Sequence, residues 1–318
     1  MDFVSQNEED VVCVVSSELN EEERMMKLIN ILIMMIGMSI VAKGVMAEDV
    51  MINKDLTIHF EQTGSGNTTI IFIPGWMMST AVFERQLAHF KGSTQYRALT
   101  YDPRGQGQSS KPVEGHTYQQ HARDLAQLIE KLDLNNIILA GWSYGVTEQL
   151  AYINQFGVEK IKGMIMIDTG PDIAGQSYDE WVWYLNDDAD GYSRSFTEGI
   201  IENRDKVITE FSQWMLEKPT AENVAWVSAI AKQTSSSVAA ITNATGFYQD
   251  YSDDLKALEG KMPLLYVVRS ENKAVANQWI QANTPSATAV YMGKHMMFWE
   301  RAERFNRVVD DFLFALDN

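Results

Sequence analysis

The amino-acid sequence predicts an α/β protein with a mostly parallel central sheet, helices on both faces and an inserted helical cap. Three observations predict it. From residue 56 onward, short apolar runs alternate with helix-period segments, the pattern of strand–helix–strand units. Runs such as Ile70-Ile71-Phe72-Ile73 are apolar at every position, as strands buried on both faces are. The alternation stops at Gly170-Pro171 and resumes near residue 264, leaving about ninety residues of helical and aromatic character between.

In chain order, β-branched and aromatic content marks strands at 57–60, 68–73 and 97–101. Residues 116–132 have helical periodicity, with Ala122, Leu125, Leu128, Ile129 and Leu132 on one stripe. A strand at 136–140, a helix at 145–155 and a strand at 164–167 follow. Residues 171–260 form the expected cap, and 48–170 with 261–318 form the core around it. A strand at 264–268, a helix through Trp279 and a strand at 288–292 resume the pattern. The last helix, 303–316, carries Phe305, Val308, Val309, Phe312 and Leu313 on one side. At 318 residues and 45% hydrophobic composition, the chain can bury a full core.

Residues 1–47 read as a leader, not as core. Lys27 precedes an apolar run at 28–41 and then Val45-Met46-Ala47, an arrangement expected of a secretory signal peptide over about 26–47. Fourteen residues are too few to span a bilayer, which needs about 20. Cleavage after Ala47 would start the mature chain at Glu48 and direct it to the periplasm or beyond; an uncleaved amphipathic or anchoring helix is the alternative. Acidic residues before Met25 are unusual in such a leader, so translation starting at Met25 or Met26 is expected. No stable membrane insertion is expected after cleavage.

Composition excludes several functions. The single cysteine, Cys13, lies in the leader, so a cysteine nucleophile and a thiolate metal site are excluded from the mature chain. The whole chain carries −17, and without the eight acids and three bases of the leader it carries −12. Nucleic acid is not an expected partner, because phosphate binding needs a basic face. The sequence leaves the oligomeric state open.

The chemistry centres on Gly141-Trp142-Ser143-Tyr144-Gly145, a G-x-S-x-G pentapeptide. Five residues alone are a weak signal. A strand before and a helix after make them a nucleophile elbow, a strained turn that exposes a serine at the head of a helix. The helix N-terminus aims its amides at developing negative charge.

Three further stretches join the elbow. Pro74-Gly75-Trp76 follows a strand, 101–109 reads Tyr-Asp-Pro-Arg-Gly-Gln-Gly-Gln-Ser, and Lys294-His295 precedes Glu300 and Phe305. Together, residues 68–318 resemble the α/β-hydrolase superfamily, particularly bacterial esterases and cofactor-free haloperoxidase-like perhydrolases. The resemblance implies Ser143 as nucleophile, His295 as base and the backbone N–H groups of Trp76 and Tyr144 as oxyanion hole. Pro74 stands where that family usually has histidine. Asp102 and Arg104 read as turn architecture. His59, His89, His116 and His121 have no metal spacing, and neither a metal nor an organic cofactor is implied.

The third member of the triad stays open. The family's usual aspartate would fall about four residues after the strand at 264–268, and the sequence there reads Arg269-Ser270-Glu271-Asn272-Lys273. Asn272 cannot stabilise an imidazolium by charge. Asp168, at the end of the strand 164–167, is the first candidate, because some small esterases of the superfamily carry their acid there. Glu271 is the second, and no carboxylate at all is the third.

The cap holds Trp181, Trp183, Trp214, Trp226, Tyr178, Tyr184, Tyr192, Phe247 and Tyr248, with sixteen acids against six bases. Aromatic walls favour hydrophobic acyl or aryl groups, although several of these rings can be cap core, and any single Trp is read first as core. An acidic rim would repel anionic substrates. Met77 and Met78 are expected to add a soft wall. The expected activity is hydrolysis of carboxylic esters or lactones of neutral hydrophobic small molecules through an acyl-enzyme. Perhydrolysis or lactonase activity is the runner-up. A ligand-binding sensor with slow turnover is the alternative outside catalysis, kept open by Asn272.

Overall fold

The computed structural model describes residues 44–317. The leader expected over 1–47 therefore lies outside the described residues up to position 43. An edge strand, β1 (Met46–Asn53), begins at Met46, so the cleavage site expected after Ala47 falls two residues inside it. An Asx turn leads into β2 (Leu56–Gly64): the Asn53 side-chain oxygen accepts from the Asp55 amide at 2.9 Å. The sequence did not signal β1, whose residues are mostly exposed and lack alternation.

The sheet continues with β3 (Thr68–Ile73), then helix α1 (Glu84–His89) and β4 (Tyr96–Tyr101). Helix α2 (Tyr118–Lys131) starts at the Thr117 hydroxyl, which accepts from the Gln120 amide. Strand β5 (Asn136–Trp142), helix α3 (Tyr144–Phe156) and strand β6 (Ile161–Ile167) follow. Eight strands form one sheet in the order β1-β2-β4-β3-β5-β6, then β9 (Leu264–Val268) and β10 (Thr288–Tyr291). β1 and β2 pair antiparallel, as do β2 and β4, and every later pairing is parallel.

The apolar strands are buried on both faces, and their period-two alternation divides them between two cores. Ile70, Phe72, Ile138, Ala140, Ile165, Ile167, Leu265 and Val267 face one way, with Leu87 of α1 and Phe305, Val309 and Phe312 of the C-terminal helix. Ile71, Ile73, Leu139, Met164, Met166, Tyr266 and Val268 face the other, with Leu125 and Leu128 of α2 and Val146 and Leu150 of α3.

Between β6 and β9, residues 171–260 contribute no strand to the main sheet. They contain the two-residue parallel pair β7 (Ala174–Gly175) and β8 (Tyr184–Leu185). Helices α4 (Asn186–Glu202), α5 (Arg204–Met215), α6 (Ala221–Ala231), α7 (Ser236–Gly246) and α8 (Ser252–Lys256) make up most of the rest. An isolated bridge joins Asp172 to Asp250, tying the start of this segment to its end. After β9 come α9 (Lys273–Asn283), β10, α10 (Met297–Glu300) and α11 (Ala302–Asp317). Among the described residues, no helix is long and apolar enough to cross a membrane.

Candidate active site

From β3 the chain goes to β4 on one side and returns to β5 on the other, so the two neighbours β3 and β5 flank a topological switch point. Ligand sites in open α/β sheets form at the carboxyl ends of strands beside such a point. Pro74-Gly75-Trp76 leaves the end of β3 there, and Ser143 leaves the end of β5.

Ser143 has φ 55° and ψ −127°, a conformation that costs free energy for a non-glycine residue. The close approach inside the elbow explains its glycines. A Cβ on Gly141 would lie 2.4 Å from the Gly145 carbonyl oxygen, and one on Gly145 would lie 2.3 Å from that of Ile73. Tyr144 opens α3, so its amide has no carbonyl one turn back to bond. The Trp76 indole donates to the Ala239 carbonyl at 2.9 Å, fixing the loop after β3 onto α7.

Hydrogen bonds lace the neighbouring strand ends together. The Ser143 amide donates to the Ile167 carbonyl at 3.0 Å, the Asp168 amide to Val267 at 2.9 Å and the Met292 amide to Val268 at 3.0 Å. Asp168 also has positive φ, 58°, which aspartate tolerates better than most residues. One carboxylate oxygen of Asp168 accepts from the Arg269 amide at 2.8 Å; the other lies 2.5 Å from His295 Nδ1. A carboxylate only accepts, so Nδ1 carries the proton. Nε2 is buried and has no hydrogen-bond partner among the described residues. His295 is thus held with its basic nitrogen free.

The imidazole sits among three tryptophans. Trp214, Trp142 and Trp183 lie with ring centroids 4.9, 5.1 and 5.4 Å from it, and the Trp142 indole donates to the His295 carbonyl. Burial here pushes the His295 pKa below its ordinary value, while the Asp168 hydrogen bond and charge pull it up and Arg269 pushes it down again.

Of the residues considered from sequence for the acid, Asp168 is the one bonded to His295. Glu271 bonds Arg269 instead: its carboxylate lies 3.2 Å from Nε. With its amide oxygen toward the same guanidinium, Asn272 accepts from Nε and Nη2 at 3.0 Å. The other histidines are bound elsewhere, His59 to Asp49, His89 to Asp310, His116 to the Pro112 carbonyl and His121 to Glu148. Asp102 accepts from the Thr80 and Gln108 amides, and Arg104 pairs with Asp124 through two nitrogens, which is turn architecture.

Ser143 opens into a cavity of about 470 Å³. Nine aromatic rings line it: Trp76 and Tyr144 from the core, and Trp183, Tyr184, Tyr192, Phe196, Phe211, Trp214 and Phe247 from the segment between β6 and β9. Trp181 packs against Tyr266 and Trp279 and Trp226 stacks on Trp299, away from the cavity lining as expected of core rings, while Tyr178 and Tyr248 are exposed. Two expectations need correction. Met77 and Met78 are buried in the core and form no wall. Of the sixteen acids, Glu210 alone lines the cavity, so the rim is mostly aromatic. Trp142, Phe196, Phe211 and Arg269 were not assigned to the site from sequence. Trp142 stands inside the elbow motif itself, and Arg269 directly follows a strand, signals that carry no role until the strand ends are adjacent. Among the described residues, no three His, Cys, Asp or Glu side chains cluster so as to hold a metal.

Comparison with known proteins agrees with this fold. The family model described as the alpha/beta hydrolase fold matches residues 68–302. A Synechocystis sp. protein named a non-heme chloroperoxidase is 26% identical over 277 residues, covering 81% of this chain and 95% of its own. The solved structure of a bromoperoxidase from Bacillus anthracis matches with a TM-score of 0.75 at 24% identity, covering 84% of this chain and 99% of that one. An esterase from Exiguobacterium antarcticum matches with 0.73 at 20% identity, over 87% and 100%.

Proposed function

This chain belongs to the alpha/beta hydrolase fold family, and we propose that it cleaves carboxylic esters or lactones of neutral, hydrophobic small molecules through an acyl-enzyme on Ser143. The observation that carries this reading is a serine at a strained elbow, lining an aromatic cavity whose Trp183 and Trp214 rings contact a histidine held at Nδ1 by Asp168. His295 Nε2 takes the Ser143 proton as the hydroxyl attacks the acyl carbon. The Trp76 and Tyr144 amides receive the oxyanion. The tetrahedral intermediate collapses, the C–O bond to the leaving alcohol breaks, and the imidazolium returns its proton to that oxygen. Water then attacks the acyl-enzyme with His295 again as base, releasing acid and free serine. Asp168 keeps the proton on Nδ1 and stabilises the imidazolium.

A second reading has a specific observation in its favour, the haloperoxidase names of its relatives. Hydrogen peroxide would replace water in the second half-reaction, giving a peracid and free serine. The test is a fluorophosphonate probe on the purified protein, with the labelled residue located by mass spectrometry and Ser143→Ala as control. Turnover of short and medium p-nitrophenyl esters runs alongside, with and without hydrogen peroxide. Labelling at Ser143 with ester turnover is expected; no labelling would sink the hydrolase reading and favour a ligand-binding role.

A further inference from the structure

The end of β9 supplies a cation where the hydrolytic reading leads one to look for an acid. Arg269 touches Asp168 twice, through its amide at 2.8 Å and through Nη1 at 3.5 Å from the oxygen that faces His295. Its guanidinium also lies 4.6 Å from the Trp183 ring centroid and 5.1 Å from that of Trp214, two rings that line the cavity and contact His295. Glu271 and Asn272 hold the remaining edge of the fork. Arginine, being planar and always charged, can stack and bond at once in this way, whereas lysine cannot.

We infer that Arg269 is a positioning residue of this site, fixing from the end of β9 both the Asp168 carboxylate and the Trp183–Trp214 wall. This rests on the assignment of His295 as base. The charged groups facing His295 are Asp168 from the end of β6, Arg269 from the end of β9 and Glu271 from the turn after it. A cation there opposes protonation of the imidazole, so Arg269 keeps the base free at lower pH than the His–Asp pair alone would. It also joins acid and substrate wall in one rigid unit.

The test compares wild type with Arg269→Met, Arg269→Lys and Glu271→Gln. The pH dependence of kcat/KM for a p-nitrophenyl ester and of Ser143 labelling is measured, and the His295 ring protons are titrated by NMR. Removing the cation in Arg269→Met should raise both the acid limb and the His295 titration midpoint. Arg269→Lys should hold the limb within a few tenths of a unit while kcat falls several-fold. Glu271→Gln removes the carboxylate that offsets Arg269, so the limb should move slightly down. This residue is 59% exposed at its side chain, so the variant carries the test if Arg269→Met fails to fold. Unmoved midpoints in the folded variants would overturn the inference. If the wild type neither labels nor turns over, the hydrolase reading fails, and the NMR midpoints still decide what Arg269 does.

Discussion

Replacing Asp168 with asparagine isolates the part of the site that sequence left most open. The two carboxylate oxygens have different partners, the Arg269 amide at 2.8 Å and His295 Nδ1 at 2.5 Å. Asparagine has one oxygen and one NH2, and only the oxygen can accept from the Arg269 amide. Its NH2 must then face Nδ1, which forces the imidazole proton onto Nε2. That tautomer cannot take a proton from Ser143, and the imidazolium loses its counter-charge. In serine proteases the corresponding change costs about 10⁴ in kcat, or about 5.4 kcal/mol of barrier. The same order is expected here, since Asp168 and His295 are almost fully buried and water cannot substitute. The assay is p-nitrophenyl ester turnover and the rate of fluorophosphonate labelling, with circular dichroism and a melting curve to show the fold is kept. The double variant Asp168→Asn with Asn272→Asp should stay inactive, because a carboxylate at 272 meets the Arg269 guanidinium before it meets His295. Activity within tenfold of wild type for Asp168→Asn, or rescue by Asn272→Asp, would refute this reasoning.

Two other perturbations test separate parts of the structure. Asp172 bridges to Asp250 at the root of the segment between β6 and β9, and burial, with Asp250 and Glu180 nearby, raises its pKa to about 6. A carboxyl raised in the folded state binds more protons there than in the unfolded chain between its ordinary pKa and about 6, so stability rises as pH falls through that window. Asp172→Asn should therefore raise Tm by about 2–4 °C at pH 8, with the gain gone by about pH 4 in a pH series of melting curves. Tyr192 lines the cavity, half exposed, stacked on Tyr184 with centroids 4.2 Å apart. Tyr192→Ala should raise KM for an aryl ester several-fold and leave kcat nearly unchanged, because it removes contact shared by ground and transition states. A fall in kcat with constant KM would show instead that the ring acts on the reacting atoms.

The parallel sheet was legible because burial on both faces imposes a simple composition, as in Ile70-Ile71-Phe72-Ile73, and because helices between such strands keep a 3.6-residue stripe. The antiparallel edge strand β1 was not legible, since one exposed face and a bulge near Asn53 erase the pattern. The elbow could be read because its glycines answer a local steric demand. Sorting the aromatic residues of 171–260 was beyond composition: Trp181 and Trp183 are two residues apart, yet one is core and the other faces the cavity. Arg269 could be assigned no role, because Asp168 lies about a hundred residues upstream, just after β6, and Trp214 about fifty upstream in α5.

Asp168 and Asn272 are alternatives for a geometric reason. β6 and β9 are neighbours in register, with Ile167 opposite Val267, and β10 lies on the far side of β9. A carboxylate at the end of β6 is therefore displaced by only one strand spacing, about 4.8 Å, from one at the end of β9. Aspartate in a left-handed backbone conformation turns its side chain across that gap toward the histidine. The space left after β9 cannot hold a second unpaired carboxylate beside the first without mutual repulsion, and an arginine there supplies attraction instead. The asparagine follows from the arginine: next to a guanidinium already paired with Asp168 and Glu271, a neutral acceptor completes its hydrogen bonds without drawing charge away from the acid. On this reasoning the acid at 168, the cation at 269 and the amide at 272 form one coupled set. Changing any one of them should alter what the other two do to His295.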